Sequence, residues 1–186
     1  RVKIGDQLKI KANSPRQRLG VLPREALIHV DADVAVVYKE AGLLSVPYDE
    51  KDKDTLSDQT RALLRRMQKH RKGHRDPMIG VVQRLDKDTS GILVFARNMK
   101  AKRHLQAQLR EHTMQRRYWA LAHGVVRSKT YQTDIIQDRG DGLRGSWGTR
   151  PNQRGAPPSD AKTCITRVKL KASYNVASWV ECQLET

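Results

Sequence analysis

Between two apolar stretches, Val81-Val82 and Ile92–Ala96, the chain carries Gln83-Arg84-Leu85-Asp86-Lys87-Asp88-Thr89-Ser90-Gly91. Asp86 stands between the cations Arg84 and Lys87, with Thr89, Ser90 and Gly91 close behind. A guanidinium or ammonium a few ångströms from a carboxylate favours its ionised form, which can act as a nucleophile or a base. Hydroxyl side chains offer hydrogen bonds inside such a loop, and a glycine lets the backbone turn back into a strand. The same residue types also make an ordinary surface connection of alternating charges, so composition alone leaves both readings open. A third reading has Asp86 and Asp88 hold Mg²⁺ for phosphoryl transfer, as in a nuclease, although no further acids cluster beside them.

The elements around this segment must position it. Ile28-His29-Val30 and Val34–Tyr38 read as strands joined by a turn at Asp31-Ala32-Asp33. Leu56, Leu63, Leu64 and Met67 recur at helical spacing, which predicts a helix over 55–70, and Thr55 with Asp58 makes a capping-box start. Asn98 can cap a second helix to about Glu111, with Leu105 and Leu109 inward. Tyr118–Ala122, Thr163–Leu170 and Ser178–Leu184 read as strands, the last with Val180, Cys182 and Leu184 on one face. Between them, Arg139–Pro158 is rich in glycine, proline and arginine and reads as a long loop or insertion. Strands outnumber helices without alternating regularly with them, so the expected fold class is α+β.

The charge balance narrows the partner. The 186 residues hold 36 Lys+Arg against 20 Asp+Glu, a formal net charge of +16. Such an excess repels itself and is commonly offset by a polyanion, nucleic acid above all. Arg61, Arg65, Arg66, Lys69, Arg71, Lys72 and Arg75 run with no acid among them, and Lys100–Arg117 and Arg139–Arg154 are further basic stretches. The longest clean apolar run, Gly91–Ala96, is far short of the roughly 18 residues of a membrane span. No secretory signal is legible, and Cys164 and Cys182 in alternating apolar contexts read as reduced thiols. The expectation is a soluble cytoplasmic protein that binds RNA or DNA.

The segment Val82–Gly91 resembles the HRLDxxTSG signature of the pseudouridine synthases that modify ribosomal and transfer RNA. Ile28–Leu44, with its Lys39-x-x-Gly42 turn, looks like that family's opening motif. Arg117-Tyr118-Trp119-Ala120-Leu121-Ala122-His123-Gly124 is similar to its Lys/Arg-Tyr-x-Ala-Leu strand, and Val180–Thr186 looks like the start of its last motif. The blocks stand in the family's order and cover about Leu22 to Thr186. The resemblance implies a mixed, largely antiparallel central sheet flanked by helices. It implies isomerisation of uridine to pseudouridine in RNA, with no metal and no organic cofactor. Asp86 falls on the catalytic aspartate, and Tyr118 on the tyrosine that stacks on the extruded uracil. Arg84 falls on the arginine that helps hold the flipped nucleotide. The RNA-binding set expected beside it is Arg65, Arg66, Lys69, Arg71, Lys72, Arg116, Arg117 and Arg144. Thr89, Ser90, Gly91, Lys39 and Gly42 read as architecture.

Two departures stand out. Gln83 occupies the place of the motif's histidine, and the chain stops at Leu184-Glu185-Thr186, before the family's Thr-Gly-Arg-Thr-His-Gln-Ile-Arg. That run holds the arginine implied to partner the catalytic aspartate. The expected organisation is therefore the tail of a small S4-like RNA-binding domain and a linker over 1–21, then a catalytic domain over 22–186 that lacks its C-terminal part. Such a fragment is expected to turn over weakly or not at all. The competing reading from another class is a non-catalytic RNA-binding module that kept the fold.

Overall fold

A computed structural model of the chain describes residues 22–68, 76–140, 142–149 and 153–186. They fall into two compact units, one reaching to Ala107 and the other running Gln108–Thr186.

In the first unit a 3₁₀ turn at Arg24–Ala26 leads into β1 (Leu27–Val30), which pairs with β2 (Val34–Lys39). The connecting turn is closed by Asp31: its Oδ1 accepts the N–H groups of Asp33 (2.7 Å) and Val34 (2.8 Å). An aspartate that bonds its own backbone two residues on is a common way to fix such a turn. β2 continues across to β4 (Gly91–Ala96), and β4 to the short β3 (Gly80–Val81), giving the order β1-β2-β4-β3. All three pairings are antiparallel.

Alternation along β2 and β4 sets the core. Ala35, Val37 and Lys39 face inward with Leu93 and Phe95, all of them fully buried. Their register, Val37 opposite Leu93 and Ala35 opposite Phe95, makes cross-strand pairs of one buried face. Tyr38 and Ile92, one step out of phase, stand exposed.

Helix α1 (Leu56–Met67) adds Leu56, Leu63 and Leu64 to the buried set. It starts as expected: the Thr55 N–H and hydroxyl both donate to the Asp58 carboxylate (3.1 and 2.8 Å). An acid in the first turn and Arg65 and Arg66 in the last also suit the helix dipole. The helix ends at Met67 rather than at 70, and Met67 is exposed rather than buried. Asn98 caps α2 (Met99–Arg110) by accepting the Ala101 N–H (2.8 Å), but Leu105 and Leu109 are only half-buried and Ala101 is the buried residue.

The second unit is a five-stranded antiparallel sheet of order β5-β9-β8-β6-β7. Its strands are β5 (Arg116–His123), β6 (Lys129–Ile136), β7 (Gly145–Ser146), β8 (Lys162–Ser173) and β9 (Ala177–Leu184). The fully buried Ser178 ties β9 to the turn after β5, donating to the Gly124 carbonyl (2.8 Å) and accepting the Val126 N–H (3.0 Å).

The sequence reading did not include β6 and β7. β6 has polar Gln132 and Asp134 among Tyr131, Thr133 and Ile135, which hides its period of two. The glycine-rich segment after it is not a bare loop. β7 pairs with the end of β6, the Trp147 N–H donates to the Asp134 carbonyl (2.7 Å), and buried Gln153 donates to the Arg139 carbonyl (2.9 Å). The α+β class holds, with antiparallel pairing throughout the described strands.

Candidate active site

The segment 82–90 joins β3 to β4 and is anchored from within. Val82 and Leu85 are buried, whereas Arg84, Asp86, Lys87 and Asp88 are exposed. The loop closes on itself through the Thr89 N–H, which donates to the Asp86 carbonyl (3.1 Å). Gly91 has φ of +146°, a conformation that side-chain-bearing residues rarely adopt, and so lets the loop re-enter the sheet.

Both neighbours of Asp86 are gripped. The buried Ser45 hydroxyl donates to the Leu85 carbonyl (2.7 Å) and accepts the Leu85 N–H (3.1 Å). On the other side, the Lys87 carbonyl accepts both the Lys39 ammonium (2.8 Å) and the Gly42 N–H (2.8 Å). Lys39 also donates to the carbonyls of Leu43 (2.7 Å) and Glu40 (3.0 Å). Burial pushes the Lys39 pKa down, while the carboxylates of Asp88 and Asp86 pull the other way. The two acids of the loop thus lie within electrostatic reach of a cation beneath them.

Strand alternation sorts the residues of β5. Arg116 and Tyr118 share one face, opposite Leu184 and Cys182 of β9, and both are half-buried. Burial raises the Cys182 thiol pKa, as a half-buried apolar surround should. The Arg116 Nε is buried and has no hydrogen-bond partner among the described residues. Arg117 points to the opposite face with Trp119, opposite Gln183 and Glu181. On that side Trp119 meets Trp179 edge-on at 5.5 Å, and Lys171 pairs with Glu181 (3.0 Å). The Lys171 hydrogen bond, foremost among several, holds the Glu181 carboxyl below its usual range.

A sequence model of a protein family, described as RNA pseudouridylate synthase, matches residues 33–186. The chain belongs to that family. It is 30% identical over 98% of its length to a ribosomal large subunit pseudouridine synthase D of Neisseria meningitidis, of which it covers 46%. It is likewise 30% identical over its whole length to an uncharacterized RNA pseudouridine synthase of Bacillus subtilis, covering 58% of that protein. The chain thus spans about half the length of these relatives. Among solved structures, a human RNA pseudouridylate synthase domain containing 4 superposes with a TM-score of 0.63 at 20% identity, over 87% of this chain and 59% of that one. At that identity the likeness speaks for the fold of the family.

Within this chain the expected residues are distributed as follows. Arg84 and Asp86 share the anchored loop, and Arg65 and Arg66 close α1. Arg65 is engaged with Asp76 (2.6 Å) at the surface. Arg144 is exposed just before β7. Lys69, Arg71 and Lys72 lie outside the described residues, as does the segment 1–21. The sequence reading had assigned no role to Ser45. Nothing in Leu43-Leu44-Ser45-Val46-Pro47 signals one, because its partner is 40 positions away.

Proposed function

We propose that this chain is the catalytic region of an RNA pseudouridine synthase, with Asp86 as its catalytic carboxylate and Tyr118 as its aromatic partner. The observation that carries the proposal is the placement of Asp86. Its side chain is exposed at the tip of a loop whose backbone is hydrogen-bonded on both sides, within the segment that resembles the family's signature. Fixed backbone with a free functional end is what a group acting on an incoming substrate requires.

In the reaction the N1–C1′ bond of uridine breaks, the base turns over, and C5 joins C1′. The C5 proton leaves and N1 gains one, so the change is an isomerisation. Asp86 acts at the sugar, as nucleophile toward C1′ or as base, and favours positive charge developing there. Tyr118 stacks on the extruded uracil and takes part in removal of the C5 proton. The base must first leave its stack, which costs a few kcal/mol and is offset by cation–phosphate contacts. Arg84 beside Asp86 and Arg116 beside Tyr118 suit that task, and Arg65, Arg66, Lys69, Arg71, Lys72, Arg117 and Arg144 supply outer contacts. Ribosomal RNA is the favoured substrate, in keeping with the names of the relatives, and transfer RNA the other. Action in the cytoplasm, and a catalytic domain over 22–186 preceded by the tail of an RNA-binding domain, belong to the same reading. No helix among the described residues is long and apolar enough to cross a membrane.

The test follows the C5 proton. Ribosomal RNA tritiated at uridine C5 should release tritium to water with the intact protein and not with Asp86→Asn, while both bind the RNA equally. Equal release by the two proteins overturns the assignment. RNA binding with no release by either protein favours the non-catalytic RNA-binding module.

A further inference from the structure

We infer that Lys39 and Ser45 are positioning residues for Asp86, a two-point clamp that holds the loop backbone at Lys87 and Leu85 and so fixes where the carboxylate sits. The inference rests on the reading of Asp86 as the catalytic group.

Three observations support it. First, the contacts are symmetric about Asp86: one residue before it, Leu85 has both backbone polar groups on the Ser45 hydroxyl, and one residue after it, the Lys87 carbonyl receives Lys39 and Gly42. The Asp86 carbonyl is engaged as well, by the Thr89 N–H. Second, Lys39 is an expensive way to fill its position. It is fully buried on the inward face of β2, in line with Ala35 and Val37. Burying an ammonium costs far more than burying a methionine of similar length, unless every proton finds an acceptor. Here all three do, on the carbonyls of Glu40, Leu43 and Lys87. A lysine kept where an apolar side chain would pack serves the loop it bonds. Third, the clamp is itself braced. Leu44 and Ser45 offer their carbonyls to the N–H groups of Leu56 and Ser57 at the start of α1, so Ser45 is fixed by the helix end. The Lys39-x-x-Gly42 spacing follows from the same geometry. Gly42 has φ of +89°, which folds the chain back so that its N–H and the Lys39 ammonium meet one carbonyl.

The experiment measures single-turnover tritium release, KM and RNA affinity in the intact protein, at a temperature where circular dichroism shows each variant folded. Lys39→Met keeps the length and removes every donor, and Lys39→Gln keeps two. Ser45→Ala removes the hydroxyl, and Ser45→Thr keeps it. Displacing a catalytic group by the order of an ångström costs up to about 100-fold, so Lys39→Met and Ser45→Ala should lose roughly 10- to 100-fold in rate. KM and RNA affinity should hold, Lys39→Gln should fall between Lys39→Met and the parent, and Ser45→Thr should recover most of the loss. Leu63→Ala, a core truncation outside the clamp, should lose stability but keep its rate per folded molecule. Amide exchange at Thr89 should quicken in the clamp variants and not in Leu63→Ala. If Lys39→Met does not fold, Ser45→Ala and Ser45→Thr decide. Folded clamp variants that turn over at the parental rate while Asp86→Asn is dead overturn the clamp and leave the catalytic reading standing. An active Asp86→Asn overturns the catalytic reading and the clamp with it.

Discussion

Strand alternation puts two adjacent arginines on opposite faces of β5. Arg116 lies on the side of Tyr118, half-buried, and its buried Nε has no hydrogen-bond partner among the described residues. Arg117 lies on the side where cations already have partners: Lys171 on Glu181 (3.0 Å) and Arg167 on Glu185 (3.2 Å), with Arg117 itself bonded to Gln115 (3.3 Å). If RNA approaches Tyr118, Arg116 is the nearer cation for its phosphate, and Arg117, on the other face, adds no more than a weak outer contact. Arg116→Met keeps much of the apolar stem while removing the charge. A hydrogen bond to a charged group is worth about 1.5–3 kcal/mol, so affinity for substrate RNA should fall roughly 10- to 150-fold. One lost phosphate contact should also flatten the plot of log K against log salt by about 0.7 on a single strand and about 0.9 on a duplex. Thermal stability should not fall in Arg116→Met, because an unmet buried donor leaves with the guanidinium. The assay is RNA binding to the intact protein across roughly 50–200 mM salt, with the unfolding midpoint measured on the same samples. The reasoning fails if Arg117→Met costs as much affinity as Arg116→Met, or if Arg116→Met leaves the salt slope unchanged.

Three further outcomes follow from the first unit. Gly42→Ala meets no atom within 4 Å, so its cost is purely that of a left-handed backbone, about 1–2 kcal/mol, read as a lower denaturation midpoint. Thr55→Ala removes the hydroxyl half of the cap on α1 and should cost about 0.5–2 kcal/mol, with faster amide exchange in the first helical turn. Asp31 is pulled from an ordinary pKa of 3.8 to about 2, first by the His29 side chain and then by the amides of Val34 and Asp33. Between those values the unfolded chain binds more protons than the folded one, so this contribution is complete above about pH 4 and is lost as pH falls toward 2. Asp31→Asn should therefore lower the melting temperature at neutral pH, with the difference closing in acid. A difference as large at pH 2 as at neutral pH would refute the assignment.

The strands and helices were legible where local signals agree. Thr55 and Asp58 announce a helix start because both halves of the cap lie within one turn, and the structure shows that cap. Asn98 does the same for α2. Met67 was misjudged because helical spacing marks a stripe but not where the stripe runs out: one residue beyond it the helix has its C-cap at Gln68. β6 was missed because polar residues stand on both of its faces, Thr133 between Tyr131 and Ile135 on one and Gln132 and Asp134 before buried Ile136 on the other, so hydrophobicity alone does not show the alternation. The hydrogen bonding of the segment after β6 escaped for another reason. Its Gly140, Gly142, Gly148 and Gly155, all at positive φ, are turn residues in a folded connection and look identical in sequence to a flexible one.

For the site, the division is between chemistry and support. Asp86 with its neighbours is a local pattern, visible because acid, cations, hydroxyls and glycine stand within a few positions of one another. Its support comes from residues 40 and 48 positions away, and no spacing rule links Ser45 to Leu85 or Lys39 to Lys87. One signal was nonetheless present. Lys39 continues the alternating inward row of Ala35 and Val37, so a lysine stands where the pattern demands an apolar residue. A charge out of phase with its strand has to find acceptors in the interior, and on an inward β2 position next to a glycine turn the carbonyls of connecting loops are the available ones. That breach of the hydrophobic alternation, more than any motif, is the point in the chain from which the loop bearing Asp86 could have been traced.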